Sequence, residues 1–173
     1  MTKLLLLTAT LFFTTLFNAT AQEVPFLNIK SFGAKGDGQT DDTAALQKAM
    51  EAATESEGTI YFPHGNYCIH PVKVPSHITL LGYSAWAYAN KDNADPDFEG
   101  KTILTALSGD DRALLDLGNN RGVRILGLTI DGKNLGQRMH GIYARHSGCE
   151  QYNCIEDCRI QHFTGSGIRL ERS

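Results

Sequence analysis

The chain of 173 residues carries 16 basic and 19 acidic side chains for a formal charge of −3, with 42% hydrophobic and 20% charged positions. That is the composition of one folded globular unit, neither disordered nor membrane-embedded. The acidic balance argues against nucleic acid as a partner, because phosphate binding takes a basic surface that releases counterions. It also supplies no global pull on an acidic polymer, so any such attraction has to be built locally.

Residues 1–21 read as a secretory signal: Lys3 forms a positive start, Leu4 to Phe17 an apolar run, and Ala19-Thr20-Ala21 a small-residue cleavage site. A membrane span takes about 20 predominantly apolar residues, and this run is shorter and interrupted by threonines. No later segment is apolar enough to span. The expectation is a secreted or periplasmic protein with no membrane association once the signal is removed. Removal deletes one lysine and leaves 15 basic against 19 acidic residues, a formal charge of −4. Cys68, Cys149, Cys154 and Cys158 all lie beyond the signal, and in an oxidising compartment they permit two bridges in three pairings. Their spacing lacks the paired C-x-x-C of structural zinc, and in a stacked fold they also serve as small buried residues.

Residues 22–57 read as an N-terminal cap. An extended piece, Phe26 to Ile29, leads to the Gly-rich turn Gly33-Ala34-Lys35-Gly36-Asp37-Gly38. A helix is then expected, N-capped by Thr40, with Asp41 and Asp42 in its first turn and Leu46, Ala49, Met50 and Ala53 on one face. Ser56-Glu57-Gly58 ends it. Gly33, Gly38 and Thr40 approach a phosphate-binding loop, but Gln39 stands where the lysine must be, and the three aspartates would repel a phosphate.

Residues 58–173 switch to short apolar alternations separated by Gly, Pro, Asn and Asp, the chemistry of strands and turns. They repeat. Ile78, Leu80 and Gly82 match Val123, Ile125 and Gly127 at an offset of 45, and Ile125, Leu128 and Ile130 match Ile155, Cys158 and Ile160 at an offset of 30. The alternation slips by one at Leu126 to Gly127, as where a chain turns from one short strand into the next. Strand, corner, strand and loop recurring in this way predict a solenoid of four or five coils, with the insertion Tyr83 to Lys101 in a loop. Ile168-Arg169-Leu170 alternates as a strand, and Ser173 follows without a capping element, which reads as a chain truncated at its C-terminus.

NIKSFGAKGDGQTDDTAALQKAMEAA followed by GTIYFPHGNYCI resembles the N-terminal signature of the pectate lyase superfamily, and VRILGLTIDG continues in its style. The signature positions are Gly33, Gly36, Asp37, Gly38, Thr40, Asp41, Asp42, Pro63, Gly65 and Tyr67. The resemblance implies an all-β solenoid, a right-handed parallel β-helix with an N-terminal capping α-helix. It also implies a polysaccharide-active parent, with pectin-type galacturonides cleaved by hydrolysis or β-elimination as the leading reading and a monomer as the expected state. A non-catalytic glycan-binding, tailspike-like or adhesin-like β-helix is the alternative. No cofactor is expected, except calcium if the parent is a lyase. Polygalacturonases would carry N-T-D, D-D, G-H-G and R-I-K in that order, and this chain does not. No catalytic residue is therefore carried over, and the chain alone is expected to lack the catalytic coils.

Local candidates remain. Asp131 ends an apolar strand near Lys133 and could face a groove, although Asp-Gly after a strand also reads as a turn. Asp157 and Arg159 flank Cys158 and should point outward, as an ion pair or solvated face or as part of a site. Tyr83, Trp86 and Tyr88 form an aromatic cluster on which a sugar ring could stack. Asn93, Asp95 and Asp97 alternate oxygen ligands, but Phe98 and Leu104 replace the glycine and glutamate of a calcium loop. His140, His146 and His162 are scattered singly, without metal spacing.

Overall fold

The computed structural model describes residues 26–56, 58–83, 101–146 and 152–172. The signal segment, Trp86, Tyr88, Asn93, Asp95, Asp97 and Cys149 lie outside the described residues.

The elements run β1 (Phe26–Asn28), a 3-10 turn (Ile29–Phe32), β2 (Asp37–Asp41), α1 (Thr43–Ser56), β3 (Thr59–Phe62), β4 (Gly65–Ile69), β5 (Val72–Lys73) and β6 (Thr79–Gly82). They continue with β7 (Thr102–Ala106), β8 (Ala113–Gly118), β9 (Arg124–Leu126), β10 (Thr129–Asp131), β11 (His140–His146), β12 (Cys154–Glu156), β13 (Arg159–Gln161) and β14 (Ile168–Arg172). Three parallel sheets result: β1-β3-β6-β9-β12, β2-β4-β7-β10-β13, and β5-β8-β11-β14. This is the right-handed parallel β-helix that the resemblance implies, with four coils among the described residues from Thr59 onward.

The repeat offsets are strand registers. Leu80 pairs with Ile125 and Ile125 with Ile155 in the first sheet, and Ile130 pairs with Ile160 in the second. Inward residues therefore stack as ladders: Ile60, Leu80 and Ile125 in the first sheet, Tyr67, Leu104 and Ile130 in the second, Leu115 and Ile142 in the third, all fully buried. Each such side chain contributes roughly 1.5–3 kcal/mol by leaving water. The corner after β9 is Gly127 at φ 62, and one coil on the same position is Asp157 at φ 49. A Cβ on Gly82 would collide with the Gly127 carbonyl, so the first-sheet corner is built from glycine where coils approach closest.

The helix begins two residues later than the capping pattern predicts. Thr40 and Asp41 belong to β2, and no acidic residue lies in the first turn of α1. Local side chains redirect this stretch. Asp37 accepts from the Gln39 and Thr40 amides (2.9 and 2.7 Å) and from the Thr40 hydroxyl (2.8 Å), which commits that hydroxyl to a turn. Asp41 accepts from the Thr43 amide (2.9 Å). Asp42 is 1% exposed and reaches back to the Lys35 and Gly36 amides (2.7 and 3.0 Å), while its own amide donates to the Cys68 carbonyl (2.8 Å) and its carbonyl accepts the first helical bond from Leu46.

The remaining signature residues meet around Tyr67. Its ring packs against Gly36, where any Cβ would come within 2.8 Å, and crosses Phe62 at 80° with centroids 5.5 Å apart. Its hydroxyl donates to the Pro63 carbonyl (3.0 Å). A Cβ on Gly65 would press on the Gly36 carbonyl at 2.7 Å. Leu46, Ala49 and Ala53 of α1 are buried over the open end of the coils. Cys68 is buried, and Cys68, Cys154 and Cys158 are unbridged.

Asp42→Ala should lower stability by about 2–4 kcal/mol, because the Lys35 and Gly36 amides lose a charged acceptor, and Asp42→Asn should restore part of it in denaturant titrations. Acid acts on Asp37, whose pKa the Thr40 and Gln39 amides and the Thr40 hydroxyl lower to about 2. A carboxyl depressed from its unfolded value of about 3.9 contributes fully above that pH and loses its contribution as pH falls through the folded value. The melting temperature of Asp37→Asn should lie below that of the parent at about pH 5, and the gap should close toward about pH 2.

Candidate functional site

Asp131 ends β10 and does form the turn that Asp-Gly suggests, its Oδ1 accepting from the Lys133 amide (2.8 Å). It also gathers side chains from the next coil. Gln161 donates to Oδ2 (2.8 Å), and His162 Nδ1 lies 3.1 Å from both oxygens. Burial opposes ionisation of this carboxyl, but the Lys133 amide, Gln161 and His162 outweigh it and hold its pKa below the usual value. The cluster is a carboxylate–imidazole pair on the outer face of the second sheet.

The other sequence candidates stand apart from it. Asp157 is the exposed corner residue after β12, and Arg159 is exposed on β13 opposite Thr129. Tyr83 is 65% exposed, and its amide donates to the Thr102 hydroxyl (2.9 Å). His140 Nδ1 accepts from the Ser166 amide (2.7 Å), a structural use. Among the described residues no three of His, Cys, Asp or Glu converge as metal ligands would.

A denser constellation lies on the outer face of the third sheet. The registers align Lys73, Asp116, Tyr143 and Arg169 across β5, β8, β11 and β14, with Arg145 opposite Glu171 beside them. Arg112, just before β8, donates through Nε (3.0 Å) and Nη2 (2.8 Å) to Asp116 Oδ2, and its guanidinium lies 3.8 Å above the Tyr143 ring centroid. The Tyr143 hydroxyl donates to Glu171 Oε2 (2.7 Å), and Arg169 Nε lies 3.5 Å from Glu171 Oε1. Three coils are thereby linked through one chain of cation, ring and carboxylate. Glu171 pushes the Tyr143 phenol pKa up, and the phenol lowers that of Glu171, so a protonated donor faces an ionised acceptor.

On this face four cations, Lys73, Arg112, Arg145 and Arg169, surround two carboxylates, Asp116 and Glu171, on a chain whose overall charge is negative. Asp116 is paired with Arg112 and Glu171 with Arg169, and Lys73 stands exposed beside them. Sequence reading missed it because third-sheet registers join residues 43, 27 and 26 apart, unlike the 45 and 30 that expose the first two sheets. The available signal was the alternation of Tyr143 and Arg145 in β11 against Arg169 and Glu171 in β14.

Known proteins share this architecture. A mannuronan C5-epimerase of Azotobacter vinelandii, AlgE2, is 29% identical over 158 residues, covering 82% of this chain and 15% of that protein. A probable glucan endo-1,3-beta-glucosidase of Arthroderma benhamiae is 50% identical over 58 residues, 33% of this chain and 6% of that protein. The A-module of the A. vinelandii epimerase AlgE4 superposes with a TM-score of 0.67 at 21% identity, covering 86% of this chain and 41% of the module, which shows the fold. The chain thus spans well under two thirds of the length of these relatives. With the sequence pattern described as "Rhamnogalacturonase A/epimerase, pectate lyase-like" matching residues 26–171, the chain belongs to that family.

Proposed function

We propose that this chain holds an acidic polysaccharide along the outer face of the third sheet, as part of a secreted, monomeric protein that acts on that polymer. The observation that carries the reading is the Arg112–Tyr143–Glu171–Arg169 network, with the exposed Lys73 in register beside it, on an otherwise acidic molecule. Coils repeat about every 4.8 Å, roughly one sugar unit, so cations on successive coils can meet successive carboxylates of a uronate chain. Guanidinium forks suit carboxylates, and the buried Tyr143 ring holds Arg112 in place from below.

Pectin-type galacturonan, processed by hydrolysis or β-elimination, is the finer reading, and an alginate-type uronan fits the same face. Eliminative chemistry removes the proton beside a carboxylate, which becomes easier when cations neutralise that carboxylate, and the half-exposed Arg169 is placed to do so. Hydrolysis by an inverting pair needs two available carboxyl groups about 6.5–9.5 Å apart. Here Asp116 is committed to Arg112, and Glu171 to Tyr143 and Arg169. That commitment favours, for these coils, the second reading of glycan binding without bond cleavage. The bond-breaking groups of the whole protein would then lie outside this network.

Affinity electrophoresis through polygalacturonate or alginate should retard the chain, with retardation falling as salt rises, whereas a neutral glucan should leave it unretarded. Arg169→Ala should weaken retention roughly tenfold at an unchanged melting temperature, and Arg112→Ala should lower both. Equal retention by neutral and acidic polymers would overturn the proposal.

A further inference from the structure

The third sheet has four strands where the other two have five. At the position of its missing first strand the chain forms α1 instead. A helix makes no ladder hydrogen bonds with a strand, so the edge of β5 stays unpaired beside α1. Two adjoining cavities of about 330 and 480 Å³ lie in the gap and share Gln47, Met50 and Lys73 as walls. Gln47, Met50, Glu51 and Thr54 recur at i, i+3, i+4 and i+7, one face of α1, and form the helical side. Asp116 lines the first cavity, and Asp116 is also the anchor of Arg112, so the trough opens directly onto the charged face.

From this we infer that the trough is an end subsite for one uronate unit, and that Lys73 is the residue that selects it. The inference rests on the reading that the third-sheet face holds an acidic glycan. Lys73 is an exposed cation lining both cavities, in register with Asp116 on the strand beside it. The remaining charged walls, Glu51, Asp111 and Asp116, are carboxylates. One sugar carboxylate can therefore be neutralised there, on the lysine, while the wall carboxylates and Gln47 accept or donate hydrogen bonds to ring hydroxyls. Met50 and Pro75 supply apolar walls for the ring. Cavities of about 300–1,000 Å³ are the size that small ligands fill. A unit carrying a second anionic group would meet the wall carboxylates and be rejected.

The test is titration calorimetry with oligogalacturonates of increasing length, on the parent chain, Lys73→Ala, Lys73→Arg and Arg169→Ala. In the parent, the unit that first reaches the trough should raise affinity roughly tenfold, the worth of one charge-assisted hydrogen bond. Lys73→Ala should erase that step, Lys73→Arg should keep most of it, and Arg169→Ala should weaken every length alike. If Lys73→Ala tracks the parent at all lengths while Arg169→Ala is weakened, the subsite is overturned and the binding face stands. If no length binds the parent chain, the binding face falls, and the subsite with it.

Discussion

Every feature of this molecule depends on the in-register stacking of parallel strands. Backbone hydrogen bonds fix successive coils about 4.8 Å apart, and the register then decides which side chain lies above which. Inward positions become apolar ladders such as Leu80 on Ile125. Outward positions become equally regular rows, and there charge can be stacked only if it is balanced. Tyr143 and Glu171 share a proton in a hydrogen bond, and Arg112 spans Asp116 and the tyrosine ring. The same constraint that builds the core thus writes the pattern of the face.

The N-terminal signature is a single packing unit. Asp42 ties the Gly-rich turn to the start of α1, Tyr67 lies across Gly36, and Gly65 gives way to the Gly36 carbonyl. These contacts join the Gly-rich turn, the start of α1 and the stretch around β4, so the motif specifies how the first coil is closed. It therefore says much about architecture and little about chemistry.

What could be read from the sequence follows the same logic. The first and second sheets were legible because Ile78, Leu80 and Gly82 recur at one offset and Ile125 and Ile130 at another, with a glycine corner between them. The third sheet was not, since its strands are reached through loops of unequal length and its pairing shifts between Tyr143 and Ala144. The helix start was misplaced because three neighbouring aspartates each take different amides, and only the fold shows that Asp37 takes the Thr40 hydroxyl. Asp131 was visible as a turn residue, but its partner His162 lies 31 residues on, one beyond the register position of Gln161. A face assembled from Lys73, Asp116, Tyr143 and Arg169 has no local motif at all.

The helix that stands in for a strand also gives the stack a direction. One rim of the coils is sealed by Leu46, Ala49 and Ala53, and each later coil finds its neighbour already in place on the N-terminal side. A chain threaded out of a pore with its N-terminus leading would meet a formed template at every step. Most coil-to-coil pairings reach back only about twenty to forty-five residues. Assembly of such a molecule resembles the closing of a zip from its stop, in which a fault in the first tooth is carried into all the others.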